Sequence, residues 1–193
     1  MLAKKAKVLN VVLVVSAGAR FVRRMGMLRK LVASISSAVL IAGSAMADQT
    51  GISQTLTDIA AGADRHDWVR VRDAFADNVT VDYTSLWGGE PVSQPADELV
   101  ASWAGFLPGF DSTHHMVTNH TISLHSQTGA IAEADFTATH RLDDDLWVLG
   151  GRYSYVLEKT GDRWVVTSLK MTALWEKGDR GIVVQAGERA AAN

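Results

Sequence analysis

The sequence predicts an α+β fold, with helices packed against one long-stranded antiparallel sheet. Three observations carry this. Apolar residues recur at helical spacing between about residues 52 and 103. Four later stretches alternate with the two-residue period of strands. Turn-forming clusters separate those stretches.

The elements follow in order. Ile52, Leu56, Ile59, Ala60 and Ala63 lie on one helical stripe, so a first helix is expected over 52–64. Asp67 has the position of an N-cap for a second helix, with Trp68, Val71 and Phe75 on its inner face. Val79, Val81 and Tyr83 alternate and predict a strand. Trp87-Gly88-Gly89-Glu90-Pro91 predicts a loop. Pro95 opens a third helix through Trp103, and Leu107-Pro108-Gly109 breaks it. Strands are then expected over 114–124, 130–141, 146–159 and 164–175. Gln127-Thr128-Gly129, Asp143-Asp144-Asp145 and Thr160-Gly161-Asp162 join them. Such a sheet can curl around the helices and leave a pocket between the two layers.

Length and composition limit the rest. The 193 residues suffice for one domain, and 47% hydrophobic content suffices for a core. There is no cysteine, which excludes disulfides, thiolate metal sites and a cysteine nucleophile. Six histidines raise metal binding, but no H-E-x-x-H motif is present and adjacent strand residues face opposite ways. No metal and no cofactor are therefore expected. The net charge of −2 hides an asymmetry. No acid precedes Asp48, whereas from Asp48 onward 11 basic residues stand against 21 acidic ones, a charge of −10. An acidic body argues against nucleic acid and anionic membrane surfaces as partners.

Residues 1–47 read as an export address. Arg29-Lys30 precedes an apolar run over 31–43, then Ala45-Met46-Ala47, an A-x-A cleavage site. The run is too short for an ordinary membrane span. The expectation is an exported protein, periplasmic or secreted, cleaved after Ala47 and without stable membrane insertion. A second apolar stretch over 8–19 precedes Met25 and Met27, either of which is a candidate start codon. The expected organisation is an address over 1–47, a domain over 48–178 and a flexible tail over 179–193.

Polar residues on apolar faces mark the candidate site. In 130–141 one face carries Ala130, Ala132, Ala134, Phe136, Ala138 and His140. A row of alanines on a concave sheet leaves space, and His140 ends that row. Asp64 borders the apolar stripe of the first helix, where a carboxylate needs a partner. Only one of His114 and His115 can face inward. Tyr83 shares a face with Val79 and Val81, which makes its phenol inward. His66, His120 and His125 are read as structural, Asp67 as a cap, and Asp82, Glu133 and Asp135 as solvated. The tryptophans are read as core and pocket wall.

These residues resemble a known family. The segment Asp64-Arg65-His66-Asp67-Trp68, followed by Val81-Asp82-Tyr83-Thr84-Ser85, resembles the first helices and strand of scytalone dehydratase. Thr113-His114-His115-Met116 resembles its Thr-x-His-Phe. Leu169-Lys170 followed by Trp175 resembles its Leu-Lys-x-x-x-x-Trp. His115 with Asn119 is similar to the His-x-x-x-Asn of the SnoaL-like group, within the nuclear transport factor 2-like superfamily. The resemblance covers about residues 52–177. It implies a cone-shaped α+β barrel, a curved, mostly antiparallel sheet wrapped around three N-terminal helices, with an internal pocket. It also implies catalytic places for Asp64, Tyr83, His115 and His140. Ala63 stands where scytalone dehydratase has a second substrate-orienting Tyr, and Gly151 and Tyr153 replace its Ser and Asn. The pocket is expected from Ala63, Trp87, Trp103, Phe136, Asn119, Tyr153 and Trp175.

The implied chemistry is cofactor-independent dehydration or β-elimination on a small apolar substrate. Asp64 fixes the tautomer of His115, which takes a proton from carbon. An unperturbed histidine titrates near ~6.5, suited to this at neutral pH. His140 protonates the leaving oxygen or orients the substrate, and Tyr83 donates to an oxyanion. The alternatives are a small-molecule-binding module of the same fold, or a structural domain that pairs as a dimer or trimer.

Overall fold

A computed structural model describes residues 43–192. Of the expected address over 1–47, residues 1–42 lie outside the described residues. The body begins at Asp48.

Helix α1 runs through residues 43–64, so it starts upstream of the expected position. Its stripe is the predicted one, with Ile52 and Leu56 fully buried and Ile59 and Ala63 nearly so. It ends in a Schellman turn. Asp67 N bonds Gly62 O, His66 N bonds Ala63 O, and His66 takes a φ of 55°. That turn leaves Asp64 in the last helical position. Helix α2 (Trp68–Asp73) is capped as expected, with Asp67 accepting from Arg70 N. It is shorter than expected, because Phe75 opens strand β1 (Phe75–Asp82).

Two small elements flank the expected loop, whose residues 88–91 are neither helix nor strand. They are α3 (Thr84–Trp87) and β2 (Val92–Pro95). Asp82 is not simply solvated. It accepts from the Thr84 N–H and hydroxyl, and pairs with Lys170 at 3.2 Å. Ser85 fixes α3 on the sheet, donating to Met171 O and accepting from Ala173 N. Helix α4 (Ala96–Ala104) follows Pro95, and a 3-10 turn (Leu107–Gly109) ends the helical part.

Four long strands then form as predicted: β3 (Ser112–Leu124), β4 (Gly129–Leu142), β5 (Asp145–Thr160) and β6 (Arg163–Gly178). The sheet order is β2-β1-β6-β5-β4-β3, with β1 parallel to β6 and every other pair antiparallel. Bulges bend it. Gly150 pairs with Trp175 and Gly151 with Ala173, so β6 carries Leu174 in excess. The glycines are required here. A Cβ on Gly150 would come within 2.4 Å of the Trp175 ring, and one on Gly151 within 2.1 Å of Thr172 O.

The inner face of β4 is the predicted one. Ala130, Ala132, Ala134, Phe136, Ala138 and His140 are all buried. The expected flexible tail is corrected. Strand β6 continues to Gly178, and helix α5 (Ile182–Ala191) buries Ile182 and Ala186. Helix α5 packs so tightly on the 3-10 turn that a Cβ on Gly109 would lie 1.8 Å from Ala186 O. Arg189 ties it further, reaching Asp111 at 2.9 Å and Asp143 at 2.8 Å. The missed signal was an apolar pair, Ile182 and Ala186, at helical spacing.

Candidate active site

The site starts with the end of α1. Asp64 projects from its last turn toward β3, where Thr113 and His115 share one strand face. Three donors converge on its carboxylate. His115 Nδ1 lies 2.6 Å from Oδ1, the His115 backbone N–H donates to Oδ2 at 2.8 Å, and the Thr113 hydroxyl donates to Oδ1 at 2.9 Å. Both side chains are mostly buried, at 13% exposure for Asp64 and 17% for His115. Burial pushes the Asp64 carboxyl up, but the His115 ring bond and charge, the His115 N–H and the Thr113 hydroxyl outweigh it and hold it at about 2. The group is therefore a carboxylate at neutral pH. A carboxylate only accepts, so Nδ1 is the protonated nitrogen and Nε2 holds the lone pair.

His115 also lines a cavity of about 120 Å³ between the helices and the sheet. Its walls are apolar in the main: Ile59 and Ala63 of α1, Trp103 of α4, Phe106 and Leu107 of the turn, and Phe136, Ala138, Leu149 and Met171 of the sheet. Asp64 stands behind His115 and is not itself among the lining residues.

His140 is the second imidazole in the wall, 4% exposed. Its ring stacks on Trp147 at 4.8 Å, leans on Phe110 at 5.1 Å and meets the edge of the His115 ring at 5.3 Å. Burial, then the charge of His115, lowers its pKa to about 4, with the Trp147 backbone and Asp64 opposing. It is neutral at pH 7, and its buried Nδ1 has no partner among the described residues.

Tyr83, just after β1, lines the cavity as expected. Burial, then the neighbouring Tyr153, raises its pKa well above the ordinary value, so the phenol stays a donor. Of the expected pocket residues, Ala63, Trp87, Trp103, Phe136 and Tyr153 line the same cavity. Two do not. Asn119 sits in the β3 bulge with φ 57°, exposed, donating to Asp135 at 2.8 Å. Trp175 is half exposed and lies against Gly150, away from the cavity wall. The expectation for Asn119 rested on the His-x-x-x-Asn resemblance, and the bulge between Thr118 and Thr121 turns that position away from the cavity.

Thr113 was missed by the sequence reading as a contributor in its own right. So were Tyr155 and Leu86, both of which line the cavity, while Trp147 lines it as pocket wall. The histidines read as structural stay outside it. His66 stacks on Trp68, His125 is exposed, and His120 bonds Ser53 Oγ through Nδ1 at 2.7 Å.

The model of the SnoaL-like domain matches residues 44–170. No match was found among curated proteins. Solved structures share the fold. The Kfla4162 protein of Kribbella flavida is 27% identical, covering 73% of this chain and 99% of its own, with a TM-score of 0.66. A candidate scytalone dehydratase of Novosphingobium aromaticivorans is 17% identical, over 72% and 92%, with a TM-score of 0.62. The LinA-type3 hexachlorocyclohexane dehydrochlorinase of Novosphingobium barchaimii is 17% identical, over 72% and 94%, with a TM-score of 0.59.

Proposed function

From the premise that the chain belongs to the SnoaL-like domain family, we propose that it is a cofactor-independent acid–base catalyst of β-elimination or dehydration on a small, largely apolar molecule. One observation carries this reading. The Asp64–His115 pair, at 2.6 Å, leaves the basic Nε2 for an apolar cavity. His115 takes a proton from carbon, the C–H electron pair becomes the new double bond, and the leaving group departs with its own bonding pair. Asp64 stabilises the imidazolium that forms. Tyr83 donates to oxygen on which charge develops. His140 is neutral at working pH, so its part is to orient the leaving group by hydrogen bonding rather than to arrive as a charged acid. Two structural neighbours named as a candidate scytalone dehydratase and a dehydrochlorinase support an eliminating chemistry.

The unpartnered Nδ1 of His140 also favours a second reading, a binding module whose ligand satisfies that atom. A panel of cyclic β-hydroxy ketones and haloalkanes separates the two. His115→Ala is expected to lower turnover by about 10²–10⁴-fold while ligand affinity stays within a few-fold. Binding without turnover across the panel leaves only the module.

Export of the chain, with cleavage after Ala47, remains part of this proposal. Fractionation of the producing cells and N-terminal sequencing test it; an uncleaved cytoplasmic product removes it.

A further inference from the structure

Among the described residues that line the cavity, Trp87 is the one that is exposed, at 51%. It stands where the cavity meets water. It is the last residue of α3, and the two ends of that helix are held differently. The first turn is fixed to the sheet. Asp82 accepts from Thr84, and the Ser85 hydroxyl is tied to Met171 O and Ala173 N of β6. Beyond the far end come Gly88 and Gly89, with φ of 72° and 77° and no atom within 4 Å of a Cβ built on either. The chain that follows Trp87 therefore has room to move, as a hinge requires.

Arg180 holds that far end. Its Nη1 donates to Leu86 O at 2.9 Å, and its guanidinium lies 5.2 Å from the centre of the Trp87 ring, a cation–π contact. Arg180 is itself held. Its Nε donates to Glu176 Oε2 at 2.9 Å and its Nη2 to Oε1, a two-point pair. Glu176 Oε2 also accepts from Trp147 Nε1 at 3.0 Å, and Trp147 is buried in the cavity wall, stacked on His140. Gly178 makes the turn that brings Arg180 back to this place, with φ 91° and a Cβ position 1.9 Å from Leu146 O. One chain of contacts thus runs from a fixed wall residue, Trp147, through Glu176 and Arg180 to the exposed Trp87. The two indole rings lie 5.9 Å apart.

We infer that Trp87 is the door of the cavity and that Arg180, held by Glu176, is its latch. A ligand enters when the guanidinium releases the Leu86 carbonyl and the Trp87 ring, and α3 swings about its Ser85 end. Arg180 is thus a positioning residue that sets the rate of entry. The door closes again behind the ligand, so a weaker latch speeds entry and exit alike and leaves affinity nearly unchanged. The inference goes beyond the catalytic reading and does not depend on it; it holds equally for a binding module.

Fluorobenzene is the probe, since about 120 Å³ is close to the roughly 150 Å³ cavity that accommodates benzene in another protein. ¹⁹F NMR line shapes of fluorobenzene with the full chain give its rates of entry and exit. Arg180→Met keeps an unbranched stem and removes the guanidinium. It raises both rates by about tenfold, as loss of one charged hydrogen bond and a cation–π contact allows, and changes Kd by less than about twofold. Arg180→Lys is the milder variant. It keeps the charge, loses the planar fork, and raises both rates by about three- to fivefold. Trp87→Ala speeds exchange as much as Arg180→Met, and combining the two adds nothing further. In chain labelled with 5-fluorotryptophan, the Trp87 resonance, assigned by its loss in Trp87→Phe, moves toward the free amino acid in Arg180→Met. The Trp164 resonance, whose indole donates to Asp48, stays in place and reports an intact fold. Unchanged rates in both Arg180 variants overturn the inference. So does faster exchange with an unmoved Trp87 resonance, a full effect of Arg180→Met in the Trp87→Ala background, or failure of fluorobenzene to enter the Trp87→Ala chain.

Discussion

Replacing His140 by Gln tests the electrostatics of the cavity most directly. The imidazole is 4% exposed and its pKa falls from 6.5 to about 4, chiefly through burial. In the unfolded chain it takes its proton near 6.5, so between pH 6.5 and 4 the unfolded state binds more protons than the folded one. Stability linked to His140 is therefore fully present above about 6.5 and is lost as the pH falls through about 4. The depression of roughly 2.5 units, at about 1.4 kcal/mol each, amounts to about 3 kcal/mol. Gln removes the titration, keeps a polar group of similar length, and leaves the other acids and bases in place. Urea unfolding followed by tryptophan fluorescence at pH 7, 6, 5 and 4 reads the effect. Wild type loses about 3 kcal/mol more over that range than His140→Gln does. Parallel losses in the two proteins would refute the placement of a neutral imidazole in the core.

Three further outcomes follow from single contacts. Asp64 has a lowered carboxyl, so its stabilisation is full above its unfolded value of 3.8 and disappears as pH falls through about 2; Asp64→Asn should remove about 2 kcal/mol of that acid-dependent loss, measured by the same unfolding series. Thr113→Val deletes a hydroxyl donor to that carboxylate and should cost about 1.5–3 kcal/mol, with Thr113→Ser restoring most of it. Gly109→Ala places a methyl against the α5 backbone and should destabilise by about 1–3 kcal/mol, with earlier proteolysis within 179–192.

The parts of the fold that were legible are those where one face of an element is buried. The alanine row of β4 and the Ile52–Leu56 stripe of α1 are set by period, and the structure places them where period puts them. Asp64 was legible for the same reason, as a polar group on an apolar face, whereas period left His114 and His115 open and the Thr-x-His resemblance pointed to His115. The failures share another cause. Asn119 was placed in the cavity by the resemblance of His115 and Asn119 to a His-x-x-x-Asn motif, and a bulge between Thr118 and Thr121 turns it outward. Trp175 was likewise placed by its Leu-Lys-x-x-x-x-Trp motif, and the extra residue Leu174 lies just before it. Period cannot report a bulge, because an inserted residue reverses every face beyond it. Helix α3 and strand β2 were hidden because four residues carry too little period to recognise. Helix α5 was hidden because its burial depends on Gly109, far away in sequence.

The docking of α5 has a practical bearing on where this protein can be cut. The match to the family model ends at residue 170, yet the turn beside Phe106 and Leu107, which line the cavity, packs against Ala186. A gene fragment trimmed to the recognised homology would therefore remove the brace and loosen the chamber floor. Tags and fusions belong beyond Ala192, and libraries aimed at reshaping the chamber should keep the final helix intact.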